Sequence, residues 1–181
     1  MAARATMANL IALVRGLIND PAGATPQFSD DDIQAQLDSA RDRIIGIDLI
    51  PYGLVPSSEW YTHFRHFEDG VVLKEGATVL TPLPETAEPL NGYWAFAESH
   101  SSVTLSGWAY DVYAAAAELL VLMSARVGSE ITSFSADGSS FNFAGESSSL
   151  LKLAAEYRSR SPLYGAAQTV RMIRDDHEYL I

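Results

Sequence analysis

Two spacings of apolar residues run along this chain of 181 residues, and they demand different secondary structure. Towards both ends, apolar side chains recur at three- and four-residue steps, the period of a helix with one buried face. Between Pro51 and about Gly107 that period gives way to prolines, glycines and short aromatic or β-branched runs, the composition of strands and turns. The pattern predicts an α+β fold, mainly α: a small helical bundle core with an inserted antiparallel β module and a C-terminal arm.

Four helices are expected. Leu10, Leu13, Val14 and Leu17 form the stripe of the first. A turn-rich loop from Asn19 to Pro26 leads to the second, with Ser29 as its N-cap and Asp30, Asp31 and Asp32 in its first turn, where the helix dipole favours negative charge. Phe28 and Ile33 flank that cap as a hydrophobic staple. Ile33, Leu37, Ala40 and Ile44 continue the stripe to a stop near Gly46. The third helix starts at Asp111 and buries Tyr113, Ala117, Leu120 and Val127, with Leu119 and Met123 beside them. Its Ala114–Ala117 run removes bulk where another helix approaches. Ser147–Ser149 are read as caps of a fourth helix whose face is Leu150, Leu153, Ala154 and Tyr157, stopped by Ser161-Pro162.

Strands are expected at Trp60–Phe67 and Val71–Lys74, joined through Glu68-Asp69-Gly70 because Asp-Gly suits a hairpin turn. Ala77–Thr81, Tyr93–Ala97 and Ser102–Ser106 read as further strands, and Phe134–Phe143 as a hairpin around Asp137-Gly138. This organisation puts residues 7–50 and 107–160 in the helical core, 51–106 in the β-rich insertion and 161–181 in a docking arm.

Charge bounds the function. The net charge of -11 argues against gripping DNA phosphates, which takes lysines and arginines, but leaves room for a protein that surrounds DNA without holding it. With no cysteine, disulfides, thiolate metal sites and a cysteine nucleophile are excluded. No apolar run approaches the length needed to span a bilayer, so a soluble protein is expected. Arg4 and Arg15 with no acid among residues 1–18 faintly resemble a leader, yet Arg15 breaks the apolar stretch and an amphipathic helix is the better reading. Met7 is an alternative start that would leave Met1–Thr6 a dispensable tail. Between Ser147 and Arg174, Lys152, Arg158, Arg160, Arg171 and Arg174 face Glu156 alone, a basic C-terminal face suited to an acidic surface.

Catalytic patterns are lacking. His63, His66, Glu68 and Asp69 are the nearest approach to a metal site, but positions 63 and 66 of a strand face opposite sides of the sheet. There is no G-x-S-x-G elbow, phosphate loop or dinucleotide fingerprint, and His100 and His177 have no partner at motif spacing. No catalytic, metal or cofactor-binding residue is assigned and no cofactor is expected. Trp60, Tyr61, Phe64 and Phe67 are read as core rather than as base-stacking platforms.

Two stretches together resemble the head–tail connector (adaptor) proteins of tailed bacteriophages. One runs through Leu10-Ile11-Ala12-Leu13, Asp20-Pro21-Ala22-Gly23 and Phe28-Ser29-Asp30-Asp31-Asp32-Ile33. The other runs through Trp108–Ala116, Phe134–Phe141 and Leu151–Tyr157. The resemblance covers residues 7–50 and 107–160, and the order of the motifs carries it. It implies a non-enzymatic virion component at the phage neck, assembled in the host cytoplasm as a ring, commonly of twelve copies, beneath the portal protein. Such a ring extends the channel through which double-stranded DNA passes without specific binding, and it is a platform for the next neck or tail protein. A portal or subunit interface is expected at Val170, Arg171, Ile173 and Arg174, with Arg158 and Arg160 adding charge. The alternatives are another neck protein (a stopper or tail-completion factor) and a metal-dependent enzyme or binding module using His63, His66 and Glu68.

Overall fold

The computed structural model describes residues 3–23, 25–129, 133–136, 139–142 and 144–162. Its fold is α+β with helix in the larger share. The chain divides into two compact units, one of residues 1–13 and 41–110, the other of residues 14–40 and 111–181. Helix α1 (Ala8–Ile18) contributes its first turns to the former and the rest to the latter.

The helical unit is organised by caps and a buried arginine. Helix α2 (Asp30–Ser39) begins with a full capping box: the Ser29 side chain accepts from the Asp32 amide, and Asp32 accepts from the Ser29 amide at 2.9 Å. Phe28 and Ile33 are buried on either side of it, as a staple requires. Helix α3 (Val112–Ser129) is capped by Asp111, whose carboxylate accepts from the Ala114 amide at 2.9 Å and from the Ser161 hydroxyl. Ala114–Ala117 are all buried, and the Tyr113 ring lies 5.8 Å from that of Tyr157 on helix α4 (Ala144–Arg160). Small side chains thus bring α3 within reach of its neighbour. The buried line of α1 is Leu10, Ile11, Val14 and Ile18, following buried Met7 just before it, with Leu13 and Leu17 at its half-buried margin. Helix α4 starts before the serines expected to cap it. Ser149 instead donates to the Gly145 carbonyl one turn back, and Ser147 meets Ser124, so neither hydroxyl is free to cap.

The second helix does not continue to Gly46. The backbone leaves the helical region at Ala40, and Arg41–Asp48 form strand β1. Its Ile44-Ile45-Gly46-Ile47 run favours pleated pairing, and the 3.6-residue coincidence of Ile44 with Ala40 is overridden by the partner strand. Gly46, with φ +61°, sits where the register shifts between Ile44 and Ile47, so it forms a bulge rather than a helix stop. The β unit accordingly takes residues 7–13, 41–50 and 107–110 from the expected helical core.

The β unit contains two antiparallel sheets. One has β1 beside β7 (Thr104–Tyr110), then β4 (Val72–Glu75) and β5 (Thr78–Leu80). The other joins β2 (Ile50–Pro51), β3 (Ser57–Tyr61) and β6 (Tyr93–His100). The expected hairpin through Asp69-Gly70 is absent, because β3 and β4 belong to different sheets. The chain leaves β3 at Tyr61, passes His66 with φ +59°, and buries Phe67 as a single bridge to Ala109. The tight turn is instead Gly76-Ala77, between the paired Glu75 and Thr78. Ile44, Leu49, Trp60, Phe67, Leu73, Trp94, Phe96, Val103 and Leu105 make the core between elements of both sheets. Gly92, with φ +70°, closes this unit: a Cβ there would collide with the Phe64 carbonyl oxygen. The remaining strands, β8 (Ser133–Ala136) and β9 (Ser139–Asn142), pair as the hairpin expected around Asp137-Gly138.

Candidate functional site

Of the residues expected at a portal or subunit interface, Val170, Arg171, Ile173 and Arg174 lie outside the described residues. Arg158 and Arg160 stand on the last turns of α4. The Arg158 guanidinium meets Glu118 at 2.9 Å, and Arg160 pairs with Glu156 one turn earlier. All four side chains are 40–54% exposed. Ion pairs so placed are worth at most about 1 kcal/mol, so an acidic partner can exchange for Glu118 or Glu156 at little cost. The expected basic face is therefore less basic than its arginines suggest.

Glu68 is held by Arg4, Thr6 and Tyr110. Its carboxylate accepts from Arg4 Nε at 3.1 Å, from the Thr6 hydroxyl and from the Tyr110 hydroxyl at 2.6 Å, while Arg4 Nη2 also donates to the Tyr110 oxygen. Burial pushes the Glu68 carboxyl upward, but these donors and the Arg4 charge outweigh it and hold the group below the ordinary carboxylate value. Tyr110 is pushed up to about 12, first by burial and then by donating to Glu68. Arg4 and Thr6, expected to lie in a dispensable tail, are both engaged. His63 is exposed, and Asp69 accepts from Asn9. Among the described residues, no three histidines or carboxylates converge as a metal site.

A hollow of about 410 Å³ opens beside this network. It exists because β4 parts from β7 after the Val72–Ser106 pair, and the chain returns to β7 only at Phe67–Ala109. Residues 68–71 leave the ladder between those points, with Val71 packed over Gly107. The Arg41 guanidinium lies 4.3 Å from the centre of the Trp108 ring, and Arg43 lies 5.9 Å from it, a cation–π arrangement. The hollow opens on the outer face of the four-stranded sheet. There, pairing aligns Arg43 with Trp108, Val72 with Ser106, and Lys74 with Thr104 and Val79. The alternate positions Ile44, Leu73 and Leu105 enter the core. Ile45, Val72 and Val79 are 67%, 41% and 63% exposed.

The cations and aromatic ring of this surface suit recognition, and its one serine, Ser106, accepts from the Gly46 amide. The sequence signal for it, arginines at alternate positions 41 and 43 opposite Trp108, is readable only once residues 41–48 are known to be a strand. A second apolar feature is the tip between β2 and β3, where Tyr52, Leu54 and Val55 are exposed and no charge falls between residues 49 and 58. No helix among the described residues is long and apolar enough to cross a membrane. No model of a protein family, no curated protein and no solved structure matches this chain.

Proposed function

We propose that this chain is a structural head–tail adaptor of a tailed phage, forming a ring under the portal that extends the DNA channel and presents a platform for the neck and tail. The observation that carries this reading is the make-up of the helical unit. α1 in part, the capped α2, α3, the β8–β9 hairpin and α4 come from the same two stretches, in the same order, as those that resemble the connector family. The β unit takes the remainder of those stretches, residues 7–13, 41–50 and 107–110, and adds the intervening residues 51–106. The net charge of -11 agrees with a conduit that repels phosphate. The exposed ion pairs of Arg158 and Arg160 supply cations that a partner's acids can recruit.

In this reading the protein does no chemistry. It works in the virion neck and meets three partners: the portal protein, other copies of itself and the next neck or tail component. The two-sheet β unit is the one observation that favours a neighbouring role, that of a stopper or tail-completion factor.

The test uses the full chain and a variant lacking residues 163–181, each mixed with the portal ring of the same genome and imaged by negative-stain microscopy. The full chain is expected to form a collar on the portal, and the shortened one to remain folded by circular dichroism but fail to attach. In infected cells, loss of the gene is expected to leave DNA-filled heads without tails. Normal virions made without the gene would reject the reading.

A further inference from the structure

We propose that the outer face of the β1-β7-β4-β5 sheet docks helix α2 of a second copy of this chain. The inference rests on the adaptor reading only for the premise that copies meet one another. An antiparallel sheet with one face on a core and charged or polar groups on the other needs no cover. This outer face departs from that pattern, because Ile45, Val72 and Val79 interrupt it with exposed branched apolar side chains. Such a surface gains from being covered.

Its charge says by what. On the open part of this face Arg43 and Lys74 stand against Asp48, while Arg41 and Arg4 face Glu68 and Asp69 around the hollow, so the face is weakly positive on a chain of net charge -11. The complement within the same sequence is α2, which carries four aspartates and no base from Asp30 to Ser39. Counting Arg15, which holds Asp30, and Arg126, whose charge reaches Asp32, the α2 region remains negative. Ala35 is exposed on this helix, a small side chain that lets its backbone approach a sheet. A helix laid on a sheet is also the commonest way to cover one.

Nucleic acid fits less well. Arg41 is committed to the Trp108 ring and to the Tyr110 hydroxyl, and the remaining cations are interleaved with apolar residues that offer nothing to phosphate. The contact pairs two different patches, so it repeats head to tail, and such contacts generate rings when the rotation closes.

The chain has no cysteine, which makes directed cross-linking clean. A Val79→Cys copy and an Ala35→Cys copy, distinguished by tags, are mixed with a short bis-maleimide, both free in solution and on the isolated portal ring. The mixed product is expected at about ten times the yield given by a Leu54→Cys copy paired with Ala35→Cys. Adding Arg43→Glu and Lys74→Glu to the Val79→Cys copy is expected to cut it about tenfold, and adding Asp31→Lys and Asp38→Lys to the Ala35→Cys copy to restore it. Circular dichroism checks that each variant is folded. No excess over the Leu54→Cys control in either setting, or a loss that the charge swap does not restore, overturns the proposal. So does binding of a short DNA duplex that Arg43→Glu with Lys74→Glu abolishes in the absence of the cross-link. Portal attachment without the cross-link removes this interface alone, whereas the cross-link without portal attachment removes the adaptor reading and leaves the interface standing.

Discussion

Arg15 shows what a single side chain does here. Its guanidinium is buried, donating to the Asp20 carboxylate and carbonyl, to Asp30 at 2.7 Å and to the Phe28 carbonyl. Asp20 in turn accepts from the amides of Gln27 and Phe28, so one ion pair closes the whole loop before α2. Asp20→Ala takes one of the four acceptors from a buried guanidinium and leaves two amides without an acceptor. The expected cost is about 3 kcal/mol, read from urea unfolding. Tyr110 gives a prediction in pH. Its raised ionisation means that the folded state keeps the phenol proton longer than the unfolded chain does. Stability from this group is therefore complete below about pH 10, where a free tyrosine ionises, and is lost as pH rises towards about 12. A spectroscopic titration should show a late tyrosinate step that is missing in Tyr110→Phe. At the acid end Glu68 works the other way. Its lowered value stabilises the fold above the ordinary carboxylate range and is lost as pH falls through it. Without the Tyr110 donor, Tyr110→Phe should bring that acid loss to higher pH.

Caps and glycines decide where the elements begin and end. Ser29→Ala removes one half of the α2 capping box and is expected to cost about 1 kcal/mol in thermal or urea unfolding. Gly92→Ala should be far worse, since it adds both a positive-φ strain and a collision with the Phe64 carbonyl. Loss of the cooperative transition or of soluble expression is the expected result. Most of the helical unit was legible because caps are local: Ser29, Asp111 and the Ser161-Pro162 stop act within one turn of where they stand. Residues 41–48 were not, because Ile44 matches both periods and only pairing with Gly107 and its neighbours selects the strand. The Asp69-Gly70 turn misled for a related reason, as its flanking strands go to different sheets. The outer sheet face, and with it the Arg41–Trp108 stack, depends on contacts some 67 residues apart in sequence, and no local spacing encodes it.

For the whole molecule the telling bond is the one from the Asp111 amide to the Ala40 carbonyl, 2.8 Å long. It closes the helical unit at the point where the chain departs for β1 and returns from β7. Replacing residues 41–110 by two glycines should therefore leave a protein that is helical by circular dichroism and unfolds cooperatively. A molten, non-cooperative product would show that the helical unit depends on the excised sheets. The paired Arg41 and Tyr110 are the matching closure on the other side. Because departure and return share one doorway, the seventy residues between them could be gained or lost in one recombination event, at the cost only of the partners they give to Arg4 and the first turns of α1.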